Sequence, residues 1–391
     1  MTMMKIAHIA TADISIKGFL LRQLCYFQNS YFEVVAMSNR GEAFKDIERV
    51  GIRHIAIPFT RKITPIQDFF TLIKLCRILK EEHIDIVHTH TLKANLLGQL
   101  AARIVGTPIR ISTIHGLYYA PEFSFFKKLF FFLIEKVSAM FADRVFLVNK
   151  EDVHRAQRLK IINRSKIRLL EGGIGINLEK FNRVTINNGK VLALRESLGI
   201  HQDEMVIGFV GRLVREKGLL DLFEVAKRIR VSCPHVRFLI VGGTDTEKAD
   251  AVDPELAKEY GVDDICIFTG PREDTPALYT LMHVLFLPSH REGFGLVLAE
   301  AAAMGIPVVA SDLGGCRQAI EDLKNGYLLP VGDIGAFTEA IMKLLKDSEL
   351  RLQMGKFGEQ FARERFDDRK VNTFVLNEYR QVSERKGLHI K

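Results

Sequence analysis

Short apolar runs alternate with amphipathic stretches along most of the chain. KIAHIA, YFEVVAMS and IRHIAIPF near the start are runs rich in Ile, Val and Phe and read as strands. IQDFFTLIKLCRILKEEHI returns an apolar residue every three to four positions and reads as an amphipathic helix. DIVHTH is the next strand, LKANLLGQLAARIVG the next helix and IRISTIH the strand after it. A Phe-rich helical stretch follows, then DRVFLVN and KIRLLEGG. Strands alternating with helices of this length predict a parallel sheet covered on both faces.

The rhythm weakens between Asn177 and Leu198, a polar segment with an Asn-Asn-Gly turn signal at Asn187–Gly189, and the linker is expected there. A second series then begins. EMVIGFVGRL, VRFLIVGG, DICIFTG, HVLFLPS and PVVAS read as strands, with helices expected over Lys217–Val231 and Leu296–Met304. Ser348 to Arg385 is charged and helical. The pattern gives two doubly wound α/β units, assigned to residues 1–185 and 186–370, with 371–391 as a final helical segment. In such units ligands bind beyond the carboxyl ends of the strands, and two facing units put that crevice between the domains.

A length of 391 residues fits two domains of ordinary size. The five cysteines are scattered and form no CxxC pair, so a disulfide framework is not expected and a reducing cytoplasm fits. The opening MTMMKIAHIA shows no signal-peptide pattern. The greasiest segment, Phe123–Phe141, is interrupted by Lys127, Lys128, Glu135 and Lys136 and is not expected to span a bilayer. The net charge of +8 is uneven: Met1–Thr185 holds 28 Lys/Arg against 16 Asp/Glu, the rest 27 against 31. A basic first half beside a slightly acidic second half predicts different partners, an anionic surface for the first and a small ligand for the second. Aromatic and Lys residues alternating over Phe123–Lys136, with Arg61, Lys62, Lys74, Arg77 and Lys80, predict docking on an anionic membrane; a core-packing helix with a solvated face is the alternative.

Three motifs carry chemistry. In SHREGFGLVLAEAAAMGIPVVAS a strand ends in a turn, and Glu292-Gly293-Phe294-Gly295 leads into a helix beginning at Leu296 and Val297. Gly293 and Gly295 let backbone N–H groups approach a ligand, and the helix start favours a phosphate. Glu300, about two turns down, gives a second carboxylate able to accept from sugar hydroxyls. In GFVGRLVREKG, Arg212 directly follows a strand and Lys217 opens the next helix; a planar fork and a point charge suit a diphosphate. In VHTHTLKANLLG and STIHGL, His88, His90 and His115 follow strand ends. A metal would need a fourth ligand and none accompanies them, so no metal is expected. His115 is expected to hydrogen-bond a sugar, while His88 and His90 read equally as core histidines. No G-x-x-x-x-G-K-[ST], no G-x-G-x-x-G after a strand and no G-x-S-x-G appears, which argues against NTPase, dehydrogenase and hydrolase readings.

These residues resemble glycosyltransferase family 4, whose members share the GT-B fold. The likeness runs through HTHTLKANLLGQLAARIVGTP, His115-Gly116, GINLEKF, GFVGRLVREKGL and the EGFGLVLAE block, and is nearest to bacterial enzymes that extend undecaprenyl-linked glycans for capsule, O-antigen or glycoprotein. The resemblance implies two Rossmann-like domains facing across a cleft, and a retaining, metal-independent transfer of a hexose or N-acetylhexosamine from a nucleotide-sugar, UDP-linked by branch likeness. The acceptor is then lipid-linked or a glycan, nucleic acid is no partner, and the site lies on the cytoplasmic face of the membrane. It implies that Arg212 and Lys217 hold the donor diphosphate, that Glu292 meets the donor sugar and Glu300 the ribose, and that Gly293, Phe294, Gly295, Leu296 and Val297 contact sugar and phosphate. Pro271 and Arg272 border the base, and His115 lies near the reacting centre. It also implies front-face displacement, with closure of the domains and a last helix that crosses back to the first. Where many members carry a Gly-Gly pair after the first strand, this chain reads TADISIKGF, with Gly18 alone behind Lys17; that loop serves donor phosphate or acceptor. A nucleotide-sugar epimerase of the same fold and a non-catalytic basic binding module are the alternatives.

Overall fold

The computed structural model describes residues 3–388 apart from 119–123, 246, 247 and 249. Phe123, the first residue of the proposed membrane-facing stretch, and 389–391 of the final segment lie outside the described residues. The chain divides into two compact units, Met1–Gly175 with Asp368–Lys391, and Ile176–Asp367.

The first unit holds seven parallel strands in the order β3-β2-β1-β4-β5-β6-β7. They are β1 Lys5–Ala12, β2 Glu33–Asn39, β3 Arg53–Ala56, β4 Ile86–His90, β5 Ile109–Ile114, β6 Arg144–Leu147 and β7 Ile167–Leu169. The second unit holds six parallel strands in the order β10-β9-β8-β11-β12-β13. These are β8 Met205–Val210, β9 Val236–Val241, β10 Cys266–Gly270, β11 Val284–Leu287, β12 Val308–Ser311 and β13 Gly326–Leu329. The inner strands bury both faces, while the edge strands β3, β7, β10 and β13 are only partly covered, which is why the inner strands show continuous apolar runs and no two-residue alternation. Ile207, Phe209, Leu285 and Phe286 are wholly buried, and each large apolar side chain so buried contributes roughly 1.5–3 kcal/mol.

In both sheets the chain runs outward from a central strand, then returns to the other side of it. The order therefore reverses between β1 and β4 in one unit and between β8 and β11 in the other. At such a switch point the loops beyond the strand ends diverge and leave room for a ligand. Arg212 follows β8 and Glu292 follows β11, so two of the expected donor residues flank one switch point.

The chain departs from expectation at its boundaries. Asn177–Leu198 is not a linker. Asn187 caps a helix, its side chain accepting from the Lys190 amide, and Asn188–Ser197 is helical with Leu194 buried. An Asn-Asn-Gly string serves a helix start as well as a turn, because the Asn side chain satisfies an unpaired helix N–H. The units accordingly part at Gly175 and Ile176, where residue 185 was expected, and again at Asp367 and Asp368, where residue 370 was expected. Ser348–Arg385 is two helices, Ser348–Arg365 and Asp368–Arg385. The second belongs to the first unit, where Glu378 receives hydrogen bonds from Arg144 at 2.9 Å and Arg168 at 2.8 Å. Lys217 ends a short 3-10 turn, Arg215–Lys217, and the helix proper starts at Leu219.

The Phe-rich helix Phe125–Phe141 buries Glu135, Ser138 and Ala139 and leaves its aromatic face outward. Phe125 and Phe126 are 73% and 80% exposed. The helix thus packs one side on the core, through Ala139 and Phe132, as the alternative expects, and its opposite face is aromatic where a solvated polar face was the expectation. No helix among the described residues is long and apolar enough to cross a membrane.

Candidate active site

In the second unit, glycines set the approach of the site-bearing loops. Gly211 ends β8 with its amide bonded to Val241 at 2.9 Å. Gly242 faces it at φ +143°, and a Cβ there would fall 1.8 Å from the Gly211 carbonyl oxygen. Gly218 closes the 3-10 turn at φ +75°, where a Cβ would lie 1.9 Å from the Pro288 carbonyl oxygen. The turn after β8 is thus pressed directly against the loop after β11, with no room for a side chain between them. That contact delivers Lys217 to Glu292: Nζ donates to Oε2 at 2.5 Å, and both side chains are largely covered.

Glu292-Gly293-Phe294-Gly295 then turns into the helix Leu296–Ala303. Its cap residue is Gly295, which has no side chain to satisfy the first amides. The first turn of a helix carries a partial positive charge; here the Leu296 amide donates to the Phe294 carbonyl at 2.8 Å and the Gly295 amide to the Gly315 carbonyl at 3.3 Å, within the loop that holds Glu292 against Lys217. Gly315, after β12, presses on this loop: a Cβ there would come within 2.4 Å of the Glu292 carbonyl oxygen. Sequence reasoning missed Gly315, although a Gly-Gly pair three residues beyond a strand is a signal of close backbone approach.

Glu300 accepts from the Tyr279 hydroxyl at 2.8 Å. Burial raises its carboxyl to about 7, against the hydrogen bond from Tyr279 and the charge of Lys180, which pull the other way. Tyr279, also unforeseen, is fully buried in the core behind the helix, and its role is visible only in the packing. Arg212 donates to Asp245 at 2.9 Å and remains half exposed. Pro271 and Arg272 follow β10; Pro271 packs on Gly243 at the end of β9, and Arg272 forms a two-pronged pair with Asp274. They lie three strands along from the β11 end.

In the first unit, Gly18 occupies a π-helical turn, Ile16–Leu20, after β1. A Cβ there would meet nothing within 4 Å, so no packing demands a glycine. Lys17 pairs with Asp46 at 2.7 Å. His115 follows β5 on a loop held by two buried carboxylates: Leu117 N–H donates to Asp152 at 3.0 Å, and Tyr118 N–H to Glu135 at 2.8 Å. Burial raises the Asp152 carboxyl, and the Leu117 amide and the Asn149 side chain oppose that rise. His115 Nε2 lies 3.3 Å from His90 Nδ1, and His90 Nε2 lies 3.0 Å from His8 Nδ1. His88 packs its ring 4.2 Å from that of His90 but bonds elsewhere, with Nδ1 2.5 Å from the Tyr379 hydroxyl and Nε2 2.7 Å from Thr113 Oγ1.

His88 and His90 are therefore buried, hydrogen-bonded core residues. His8, His88 and His90 do bring one ring nitrogen each within 4.8 Å of one another, the arrangement among the described residues that comes nearest to a metal cluster. His8 is also a residue that the strand pattern concealed. It sits in KIAHIA as the one polar letter between Ile6 and Ala10, and only the register of β1 against β4, which sets His8 opposite His88, shows its neighbours.

Two family models match, "Glycosyl transferase 4-like" over residues 5–149 and "Glycosyl transferases group 1" over residues 191–361. The capsular polysaccharide biosynthesis glycosyltransferase CapM of Staphylococcus aureus is 30% identical over 370 residues, 94% of each chain. The UDP-Gal:alpha-D-GlcNAc-diphosphoundecaprenol alpha-1,3-galactosyltransferase of Escherichia coli is 28% identical over 89% of each chain. The crystal structure of Anabaena HepE in complex with UDP-glucose superposes with a TM-score of 0.81 at 21% identity, over 96% of this chain and 99% of that one. Twin parallel sheets with reversed strand order, matched along nearly their whole length by such relatives, place the chain in glycosyltransferase family 4: it is a hexosyltransferase of the GT-B fold.

Proposed function

We propose that this hexosyltransferase takes its sugar from a UDP-sugar and passes it, with retained configuration and without a metal, to a diphosphoundecaprenol-linked glycan at the membrane surface. The observation that carries the reading is the Lys217–Glu292 pair at 2.5 Å beside the Gly295-capped helix start. A diphosphate set at the start of the helix Leu296–Ala303, where the Leu296 amide donates to the Phe294 carbonyl at 2.8 Å in the free protein and would have to exchange that bond for a phosphate oxygen, takes Lys217 and Arg212 as counter-charges, which does the work a divalent cation does elsewhere. Glu292, released from Lys217 by the phosphate, is free to accept from sugar hydroxyls, and Glu300 from the ribose. With no side chain assigned as nucleophile, the leaving diphosphate itself takes the acceptor proton as the anomeric centre passes through an oxocarbenium-like state. The E. coli relative acts on a UDP-sugar and a diphosphoundecaprenol acceptor by name, which supports the choice of both substrates.

The outward aromatic face of Phe125–Phe141, with Lys127, Lys128 and Lys136, supports docking on anionic lipid. Ile66, Phe69, Phe70 and Ile73 add exposed apolar area on the helix Pro65–Glu81. Arg77 contributes less than the sequence suggests, because Glu81 pairs with it at 2.7 Å. Transfer of labelled sugar from a panel of UDP- and GDP-sugars onto diphosphoundecaprenol-linked sugars tests the activity, with EDTA present throughout. Product from a UDP-sugar under these conditions is the expected result; no product from any donor, or strict dependence on added metal, removes the reading. Flotation with phosphatidylglycerol vesicles, and not with phosphatidylcholine alone, is expected for the docking face.

A further inference from the structure

The three imidazoles His8, His90 and His115 form a line running from the sheet interior outward. His8 Nδ1 meets His90 Nε2 at 3.0 Å, and His90 Nδ1 meets His115 Nε2 at 3.3 Å. His8 is stacked on Phe27 and fully buried, and His90 is 2% exposed. Burial keeps all three neutral: it lowers His8 to about 3, His115 to about 4, and His90 well below its usual value.

A neutral imidazole owns one N–H and one lone pair. Two hydrogen bonds in series therefore leave the line only two proton arrangements. In one, His8 donates from Nδ1 to His90, His90 donates from Nδ1 to His115 Nε2, and His115 holds its own proton on Nδ1. In the other every proton is reversed, and His115 Nδ1 is bare. The buried end of the line decides between them. His8 Nε2 is buried with no hydrogen-bond partner. The second arrangement strands an N–H there, and the first only a lone pair; stranded buried N–H groups are the rarer of the two.

We propose that His8 and His90 are positioning residues that lock His115 in the tautomer protonated at Nδ1, so that it offers an N–H donor, and not a lone pair, to an oxygen of the bound sugar. The second half rests on the reading that His115 meets the donor sugar. A metal on His8, His88 and His90 competes for the same nitrogens, but those of His88 are already engaged by Tyr379 and Thr113.

The tautomer is read without substrate, from long-range proton–nitrogen spectra of the full chain carrying 15N-labelled histidine, with His115 assigned through His115→Gln. The expected result is His115 protonated at Nδ1 in the parent and at Nε2 in His90→Phe. In His90→Gln the amide still donates to His115 Nε2 and restores the Nδ1 proton. His115 protonated at Nε2 in the parent, or unmoved in His90→Phe, overturns the proposal, as does tight one-to-one zinc binding that His8→Phe abolishes. In turnover, His90→Phe is expected to lower kcat about 10-fold with the donor KM within about twofold, and to have no effect in a His115→Gln background. An equal loss in that background marks a merely structural role and overturns it too. Normal turnover in His115→Gln alone, with the spectra as expected, removes the donor-sugar reading and leaves the tautomer lock standing.

Discussion

The two switch points are built on the same strand order and are furnished in opposite ways. Beyond β8 and β11 stand a cation, a carboxylate, glycine-pressed loops and a helix start. Between β1 and β4 the same position in the first sheet is plugged from within by His8, His88 and His90, all buried. One switch point sets a largely covered ion pair on the loops beyond its strands; the other carries the Lys17–Asp46 pair on the turn after β1 but also holds neutral histidines on the strands themselves, which reach the loops through His115. The difference teaches that the fold supplies a location, and that the chemistry follows from whether polar side chains are placed on the loops beyond the strands or on the strands themselves.

The sharpest way to break this contrast is to empty the charged side of it. Lys217→Ala and Glu292→Ala are each expected to cut turnover about 100–1,000-fold, the usual loss when one preorganised electrostatic group is removed, with the fold retained but the melting temperature lowered, since each change leaves a largely covered charge unpaired. Initial rates at saturating donor check this, and near-normal rates in both variants would mean that the second switch point is not the donor site. A smaller effect tests the glycine-set approach. Gly218→Ala forces a side chain into positive φ and against the Pro288 carbonyl. It is expected to lower stability by about 3 kcal/mol and to weaken UDP binding together with it, read by denaturant midpoint and calorimetry. Unchanged stability would show that the two loops have room to part.

That asymmetry also decides what was legible in the chain. The parallel sheets could be read because strands buried on both faces leave unbroken apolar runs, as in VLFL and MVIGFV. The charged switch point could be read because its residues sit on loops, where Arg212, Lys217 and Glu292 have no packing reason to interrupt an apolar pattern. Three features escaped for one shared physical reason: their meaning lies in a partner distant in sequence. His8 needs β4 beside it, Tyr279 needs Glu300, and Gly315 needs the Glu292 carbonyl. The Asn187 cap escaped for another: the same residue type satisfies a turn and a helix start, and only the buried Leu194 beyond it tells them apart.

The gentlest probe sets the two units against each other in pH. In the first unit burial depresses the histidines, His8 to about 3 against an ordinary 6.5. The unfolded chain then binds the extra proton, so the stability these rings contribute is full above about 6.5 and is lost as pH falls toward the folded value. In the second unit burial raises Glu300 to about 7 against an ordinary 4.5. Here the folded state holds the proton more tightly, so the stability is full below about 4.5 and is lost as pH rises through 7. Hydrogen exchange followed separately in β1 and in β11 should therefore show opposite slopes between about pH 4.5 and 6.5, where the two windows overlap, with protection rising with pH in the first and falling in the second. Glu300→Gln removes the titrating group and should flatten the slope in β11. It should recover about 2 kcal/mol at pH 8, since a tenfold change in proton affinity is worth about 1.4 kcal/mol before water and the nearby Lys180 charge reduce it. It should leave the slope in β1 as it was. Parallel slopes in the two strands, or a β11 slope that survives Glu300→Gln, would show that the carboxyl is not held protonated by its burial and that the two switch points are less different inside than their side chains imply.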